Sequence, residues 1–178
     1  MLKITKDILD NKTYKELQEI CKTFANKTFD KKNFNNISLQ NKNSYVRLSV
    51  PKNSLKDYII NAKKYLIENL PHDKTNMIDF ESSNSWINKV TIETNKNDPY
   101  HKDVSFLTLI TYLNDDFEGG EFMYINDTGK EQLITPKTNM TLLMDEKLLH
   151  KVVSVNSGIR FSLVTFFKSK EKKSKTLL

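Results

Sequence analysis

Residues 99–122 read PYHKDVSFLTLITYLNDDFEGGEF, and residues 148–167 read LLHKVVSVNSGIRFSLVTFF. Both stretches are dense in β-branched and aromatic residues, which fit a pleated, half-buried surface, so both read as extended. Residues two apart in an extended segment point to the same side. His101 and Asp103 are therefore expected to face one point in space from a single strand. His150 stands at the entry of the strand-like run KVVSV, and Arg160 and Ser162 share one face of a further strand. Working outward, similar short runs recur: YVRLSV at 45–50, NMIDF at 76–80, WINKVTIET at 86–94, EFMYI at 121–125, EQLIT at 131–135 and MTLLM at 140–144. Many short strands joined by turns indicate a sandwich or barrel, and two antiparallel sheets of this kind form a jelly roll. The expected class is mainly β with flanking helices, a double-stranded β-helix or jelly roll.

The helices fall before this region. TYKELQEICKTFAN has helical spacing, with Leu17, Ile20, Cys21 and Phe24 on one side. The run from Ser54 to Pro71 is the strongest helix signal. Ser54 is expected to cap it, Asp57 sits at capping-box distance and Pro71 ends it. Its apolar face of Leu55, Ile59, Ala62, Leu66 and Leu70 would pack on the sheet, on the side away from the histidines. Residues 26–44 are polar and rich in Asn and Lys, and read as a surface loop. No internal repeat or domain linker is visible. The expected organisation is one domain over 1–178, with a helical part at 1–75, a jelly-roll core at about 76–168 and a basic tail at 169–178.

Singly, each polar residue has an ordinary reading. H-x-D tripeptides arise by chance, a lone His150 is more often a surface or core histidine, and Arg160 alone is more often a solvated strand charge. The combination says more. Two of the chain's three histidines belong to it; the third, His72, follows Pro71 and reads as surface. Two histidines and one carboxylate fill one side of an octahedron and leave the other open, which is the ligand set of non-haem Fe(II) oxygenases. A guanidinium pairs bidentately with a carboxylate, so Arg160, with the Ser162 hydroxyl beside it, can hold the far carboxylate of a 2-oxo acid. The only other arginine is Arg47; the remaining basic residues are lysines.

On H-x-D, the distant His150, Arg160 ten residues later and the flanks YLNDDFEGGEF and HKVVSVNSGIR, the chain resembles the Fe(II)/2-oxoglutarate-dependent dioxygenases, most closely their prolyl-4-hydroxylase-like branch. The resemblance covers roughly residues 86 to 168. It implies that His101, Asp103 and His150 are metal ligands and catalytic, that Arg160 and Ser162 bind cosubstrate, and that the cofactors are Fe(II), 2-oxoglutarate and O2, with ascorbate left open. It implies a hydroxylase releasing succinate and CO2. Asp103 occupies the position that halide takes in halogenating relatives, so hydroxylation is favoured over halogenation. Two departures stand out. The family commonly carries a Tyr about ten residues before H-x-D that bonds the cosubstrate; here the stretch is VTIET, so that contact is missing or supplied elsewhere. Pro136 is followed by Lys137, Thr138 and Asn139, where the family favours Gly in the turn; Asn tolerates a left-handed conformation, so the turn is expected to survive.

A peptide or protein substrate is expected by resemblance, with a peptidyl proline first. A free amino acid or other small metabolite is the nearest alternative. An alkylated nucleic-acid demethylase is disfavoured, because such relatives carry a second downstream Arg and none follows Arg160. A non-catalytic jelly-roll binding module would need the triad to be accidental. The 178 residues suffice for one sizeable core. No stretch is apolar for long enough to span a membrane. The first residues lack an apolar signal core and the single cysteine excludes an internal disulfide, so the expected location is cytoplasmic. The net charge of +6 owes much to the tail KSKEKKSKTLL and carries little weight as a sign of an acidic partner.

Overall fold

The segment Leu107–Tyr112, β4, is buried at every position, and a strand with apolar side chains on both faces belongs inside a sheet. The computed structural model describes residues 1–6, 8–25, 45–94 and 99–171. The expected loop at 26–44 and residues 172–178 of the basic tail lie outside them. Among the described residues β4 sits third in a six-stranded antiparallel sheet. The sheet is built from β1 (Leu2–Thr5), β2 (Val46–Ser49), β3 (Ile78–Thr91), β4, β8 (Thr141–Asp145) and β11 (Ile159–Ser169), in the order β1-β8-β4-β11-β3-β2. A second sheet has the order β7-β6-β9, from Glu131–Ile134, Phe122–Ile125 and His150–Val152. A short pair joins β5 (Glu118–Gly119) to β10 (Val155–Ser157). The architecture is the expected jelly roll, mainly β with helices on one side.

Alternation along the strands sorts two cores. Leu109, Leu143, Ile87, Phe161 and Leu163 face the helices α1 (Asn11–Ala25) and α2 (Lys56–Asn69), and pack with Leu17, Cys21, Ala62 and Leu66. Ile110, Tyr112, Leu142, Met144 and Val164 face the other way and meet Phe122 of the second sheet. Each fully buried Leu contributes about 1.5–3 kcal/mol by removal from water. On the helix side a seam of hydroxyls crosses the core. Thr111 pairs with Thr141 at 2.8 Å, Tyr58 of α2 reaches Thr111 at 3.4 Å and Thr165 at 3.5 Å, and Thr165 meets Ser85 at 2.8 Å.

Several local expectations need correction. Ser54 does not cap α2. Pro51 opens a 3-10 turn over Lys52–Leu55, the Ser54 N–H is spent on the Pro51 carbonyl at 3.0 Å, and α2 starts at Lys56 without a side-chain cap. The cap that does form is Asp10, whose carboxylate accepts the Thr13 N–H at 2.9 Å and the Thr13 hydroxyl at 2.8 Å ahead of α1. NMIDF is not wholly extended, because a short helix α3 (His72–Met77) takes its first residues. From Ile78 the two expected strands run as one, β3, with a register irregularity opposite Phe166 and Lys168. The part read as helical also carries β1, which adds to the sheet edge beside β8. His72 is exposed, as read. Asn139 takes a left-handed φ of 63°, so the turn after Pro136 survives with Asn in the glycine position. No helix among the described residues is long and apolar enough to cross a membrane.

Candidate metal centre

Three ligand atoms, one each from His101, Asp103 and His150, lie within 4.8 Å of one another. The route by which they meet differs from the one expected. His101 and Asp103 do not share a strand, since regular pairing of that segment begins only at Leu107. His101 instead makes an isolated bridge with His150 of β9: its N–H donates to the His150 carbonyl at 2.9 Å, and its carbonyl accepts the His150 N–H at 3.0 Å. The two rings are thereby held 4.5 Å apart. Asp103 sits in the link to β4, where the Thr108 hydroxyl donates to its Oδ2 at 2.7 Å. Ser105 stands 2.6 Å behind Thr108, so a short hydroxyl relay orients the carboxylate.

Each imidazole is oriented by its own chain. His101 Nδ1 lies 3.0 Å from the Pro99 carbonyl and His150 Nδ1 lies 3.1 Å from the Leu148 carbonyl. A carbonyl only accepts, so both Nδ1 atoms carry the proton and the lone pair falls on Nε2. This is the usual way a ligating histidine is fixed from its second nitrogen. His150 is buried and stacks on Phe122 at 5.1 Å, whereas His101 is exposed. Two neutral imidazoles and one carboxylate are a donor set for a divalent transition metal with open positions left over.

A second group of polar atoms faces the same side of the sheet. Arg160, only 2 % exposed, has a buried Nε without a hydrogen-bond partner, and no carboxylate among the described residues pairs with it. A buried, unpaired cation is costly. Ser162 is opposite Tyr112 in the β11–β4 register, and both hydroxyls are buried without a partner. The Arg160 guanidinium lies 5.0 Å from the Tyr112 ring centroid. Burial pushes the Tyr112 phenol upward, while the nearby guanidinium favours its charged form; no hydrogen bond of good geometry joins the two. The Arg160 Nε and two hydroxyl groups, all buried and without a partner, are groups of the kind that pair with a carboxylate.

Tyr112 was not singled out from the sequence, where it reads as strand core. It supplies a phenol on β4, across β11 from the VTIET stretch, which has none. Asn114 was also missed. Its side chain accepts the Phe161 N–H at 2.7 Å and donates to the Ile159 carbonyl at 2.7 Å, so it clamps the backbone on both sides of Arg160. Gly120, at φ 67°, packs against the Arg160 stem: a Cβ there would lie 3.1 Å from Arg160 Cδ.

Solved structures share this architecture. A Pseudomonas putida prolyl-4-hydroxylase matches with TM-score 0.67 at 11% identity, over 94% of this chain and 91% of that one. A Trichoplax adhaerens prolyl hydroxylase, in complex with a hypoxia inducible factor oxygen degradation domain peptide fragment, matches with TM-score 0.69 at 14% identity, over 99% and 87%. A Neurospora crassa enzyme in complex with alpha-KG and 5-formyluracil matches with TM-score 0.67 at 14% identity, over 96% and 75%. No curated protein sequence matches. The profile described as "2OG-Fe(II) oxygenase superfamily" matches residues 80–168, half of the chain and the half that carries the metal cluster, Arg160 and Ser162. The chain belongs to the 2OG-Fe(II) oxygenase superfamily.

Proposed function

We propose that this oxygenase hydroxylates a peptidyl residue, proline first, with Fe(II) held by His101, Asp103 and His150 and the far carboxylate of 2-oxoglutarate held by Arg160, Ser162 and Tyr112. Enzymes of this superfamily use Fe(II), 2-oxoglutarate and O2. The observation that carries the site assignment is the pairing of a compact His-Asp-His cluster with a buried guanidinium that has no acid of its own. What favours a peptide is the prolyl-hydroxylase architecture, one example of which holds a peptide fragment.

When bound, the metal, O2 and 2-oxoglutarate together supply oxidative decarboxylation to succinate and CO2 and insertion of one oxygen atom into a substrate C–H bond. The protein's part is placement. His101 and His150 each donate Nδ1–H to a backbone carbonyl, which fixes the rings so that Nε2 is the atom offered to the metal. Thr108 fixes which face Asp103 presents. Arg160 neutralises the far carboxylate, and the two hydroxyls complete its hydrogen bonds in a dry pocket, where such contacts are strongest. Phe122 and the apolar inner core keep water from the buried His150 side.

The test is succinate release from 2-oxoglutarate with Fe(II), in the presence of proline-rich peptides, free amino acids or alkylated oligonucleotides, with mass spectrometry of each. A peptide that stimulates turnover and gains one oxygen atom is the expected result. His150→Ala should abolish both signals. Oxidation confined to free amino acids or oligonucleotides would overturn the peptidyl reading, and normal turnover in His150→Ala would overturn the ligand set.

A further inference from the structure

The chain has only two arginines, and both face the same side of the large sheet. Arg47 on β2 is opposite Asn88, Asn88 is opposite Ser162, and Ser162 is opposite Tyr112. These four residues form one row across the inner face, with the cosubstrate hydroxyls at one end and Arg47 at the other. The Arg47 guanidinium is clamped: its carbon lies 4.1 Å from the Trp86 ring centroid and Nη2 donates to the Tyr45 hydroxyl at 2.9 Å. Its Nε is buried without a partner, and no carboxylate among the described residues pairs with it. A guanidinium fixed this way, with donors left over, is a prepared anion site.

Arg47 opens onto a cleft of about 730 Å³ between β2, β3 and the turn ahead of α2. Lys52 and Lys56 stand on its rim, Asn53 and Asn84 add amides, and no acidic residue among the described residues lines it. The cleft borders the metal cluster through one aromatic layer. Trp86 meets Phe166 edge-on at 4.9 Å, Phe166 is opposite Thr108 in the sheet register, and Thr108 holds Asp103.

We infer that this cleft is a subsite for an acidic side chain of the peptide substrate, anchored by the Arg47 guanidinium and screened by Lys52 and Lys56. The inference rests on the peptidyl reading above. A nucleic acid fits less well. Its phosphates need cations spaced along a track, and single-stranded binding uses open aromatic faces for stacking, whereas Arg47 already lies over the Trp86 ring. Asn84 and Thr108 flank Phe166 in register, so the cleft floor lies two strand spacings, about 10 Å, from the strand behind Asp103. An extended chain covers that in about three residues. The acid therefore belongs about three residues from the hydroxylated one.

The experiment scans a single Glu through each position of a proline-containing peptide, with the Gln peptide as partner at every position, and reads kcat/KM and the mass gain. The expected result is a gain of roughly 10–100-fold for Glu over Gln near that spacing, the size of a charge-assisted contact. Arg47→Gln should erase the difference. The exposed pair Lys52→Gln with Lys56→Gln, which leaves the fold's core untouched, should reduce it. Arg47→Glu should turn the preference toward a Lys-bearing peptide. Hydroxylation of Glu and Gln peptides at equal rates throughout the scan would overturn the subsite while leaving the peptidyl reading intact. No mass gain on any peptide would overturn the peptidyl reading and the subsite with it. Competition by an oligonucleotide that is lost in Arg47→Gln would overturn the acidic-peptide ligand in favour of phosphate.

Discussion

Thr108→Val isolates the part of the metal centre that touches no metal. Thr108 is buried, and valine keeps its branched shape while removing the hydroxyl. That hydroxyl donates to Asp103 Oδ2 at 2.7 Å, and its single proton is then committed, so it accepts from Ser105 at 2.6 Å. The substitution therefore frees the carboxylate to rotate and leaves the Ser105 hydroxyl without its acceptor. Loss of such an outer contact typically lowers metal affinity about 10–100-fold, which is about 1.4–2.7 kcal/mol. The orphaned Ser105 hydroxyl adds roughly 1 kcal/mol of lost stability. Anaerobic calorimetric titration of the metal-free protein with Mn(II), a redox-quiet stand-in for Fe(II), reads the first quantity, and differential scanning calorimetry reads the second. Ser105→Ala serves as the control, because it removes the relay's first link and should weaken the metal less. A Thr108→Val protein whose Mn(II) Kd equals that of the wild type would refute the idea that the relay sets the Asp103 geometry.

Arg160→Lys keeps the charge but loses the planar fork, so the KM for 2-oxoglutarate should rise while metal affinity holds; an unchanged KM in Arg160→Ala would sink the anchor role. Leu66→Ala empties a fully buried site on the helix side and should cost about 2–5 kcal/mol, read as a drop in Tm with the 2-oxoglutarate KM unaltered; an unchanged Tm would show that this face is not packed. Gly120→Ala forces a left-handed φ on alanine, at about 1–2 kcal/mol, and pushes on the Arg160 stem, so the 2-oxoglutarate KM should rise along with the loss of stability; a lower Tm with no change in KM would separate Gly120 from the anchor.

The parts of this protein that could be read from its sequence are those that depend on spacing along the chain. H-x-D, the distant His150 and the Arg160–Ser162 pair carry their chemistry in residue type and interval. The α2 face likewise follows from its 3.6-residue period: Ala62 and Leu66 are buried, Leu55 and Leu70 are buried at its two ends, and Ile59 is half-buried. What escaped depends on cross-strand register. Tyr112 becomes a site residue only because β4 lies beside β11 with Tyr112 opposite Ser162. Thr108 matters only because the chain doubles back from Asp103, and Asn114 only because it reaches across to the backbone around Arg160. His101 and Asp103 do come close together, but a single bridge and a link bring them there, and not one pleated strand. Ser54 failed as a cap because Pro51, three residues earlier, starts a tighter turn, a competition that propensity alone does not decide.

The hydroxyl seam on the helix side acts as a ruler for the sheet. A slip of two residues between β4 and β8 would keep every apolar side chain on its proper face, so greasy packing alone distinguishes poorly between such alignments. It would also part Thr111 from Thr141 and draw Thr111 away from Tyr58, leaving hydroxyls dry and unsatisfied in the middle of the core. Each orphan costs about 1–3 kcal/mol, and several would be created at once. The penalty for misalignment is thus concentrated in a few threonines on the helix side of the sheet, opposite the face that carries the chemistry. It falls on the same strands that must deliver Tyr112 to Ser162 in step. Replacing these threonines by valine would leave the fold's hydrophobicity intact and remove the feature that tells one alignment from the next.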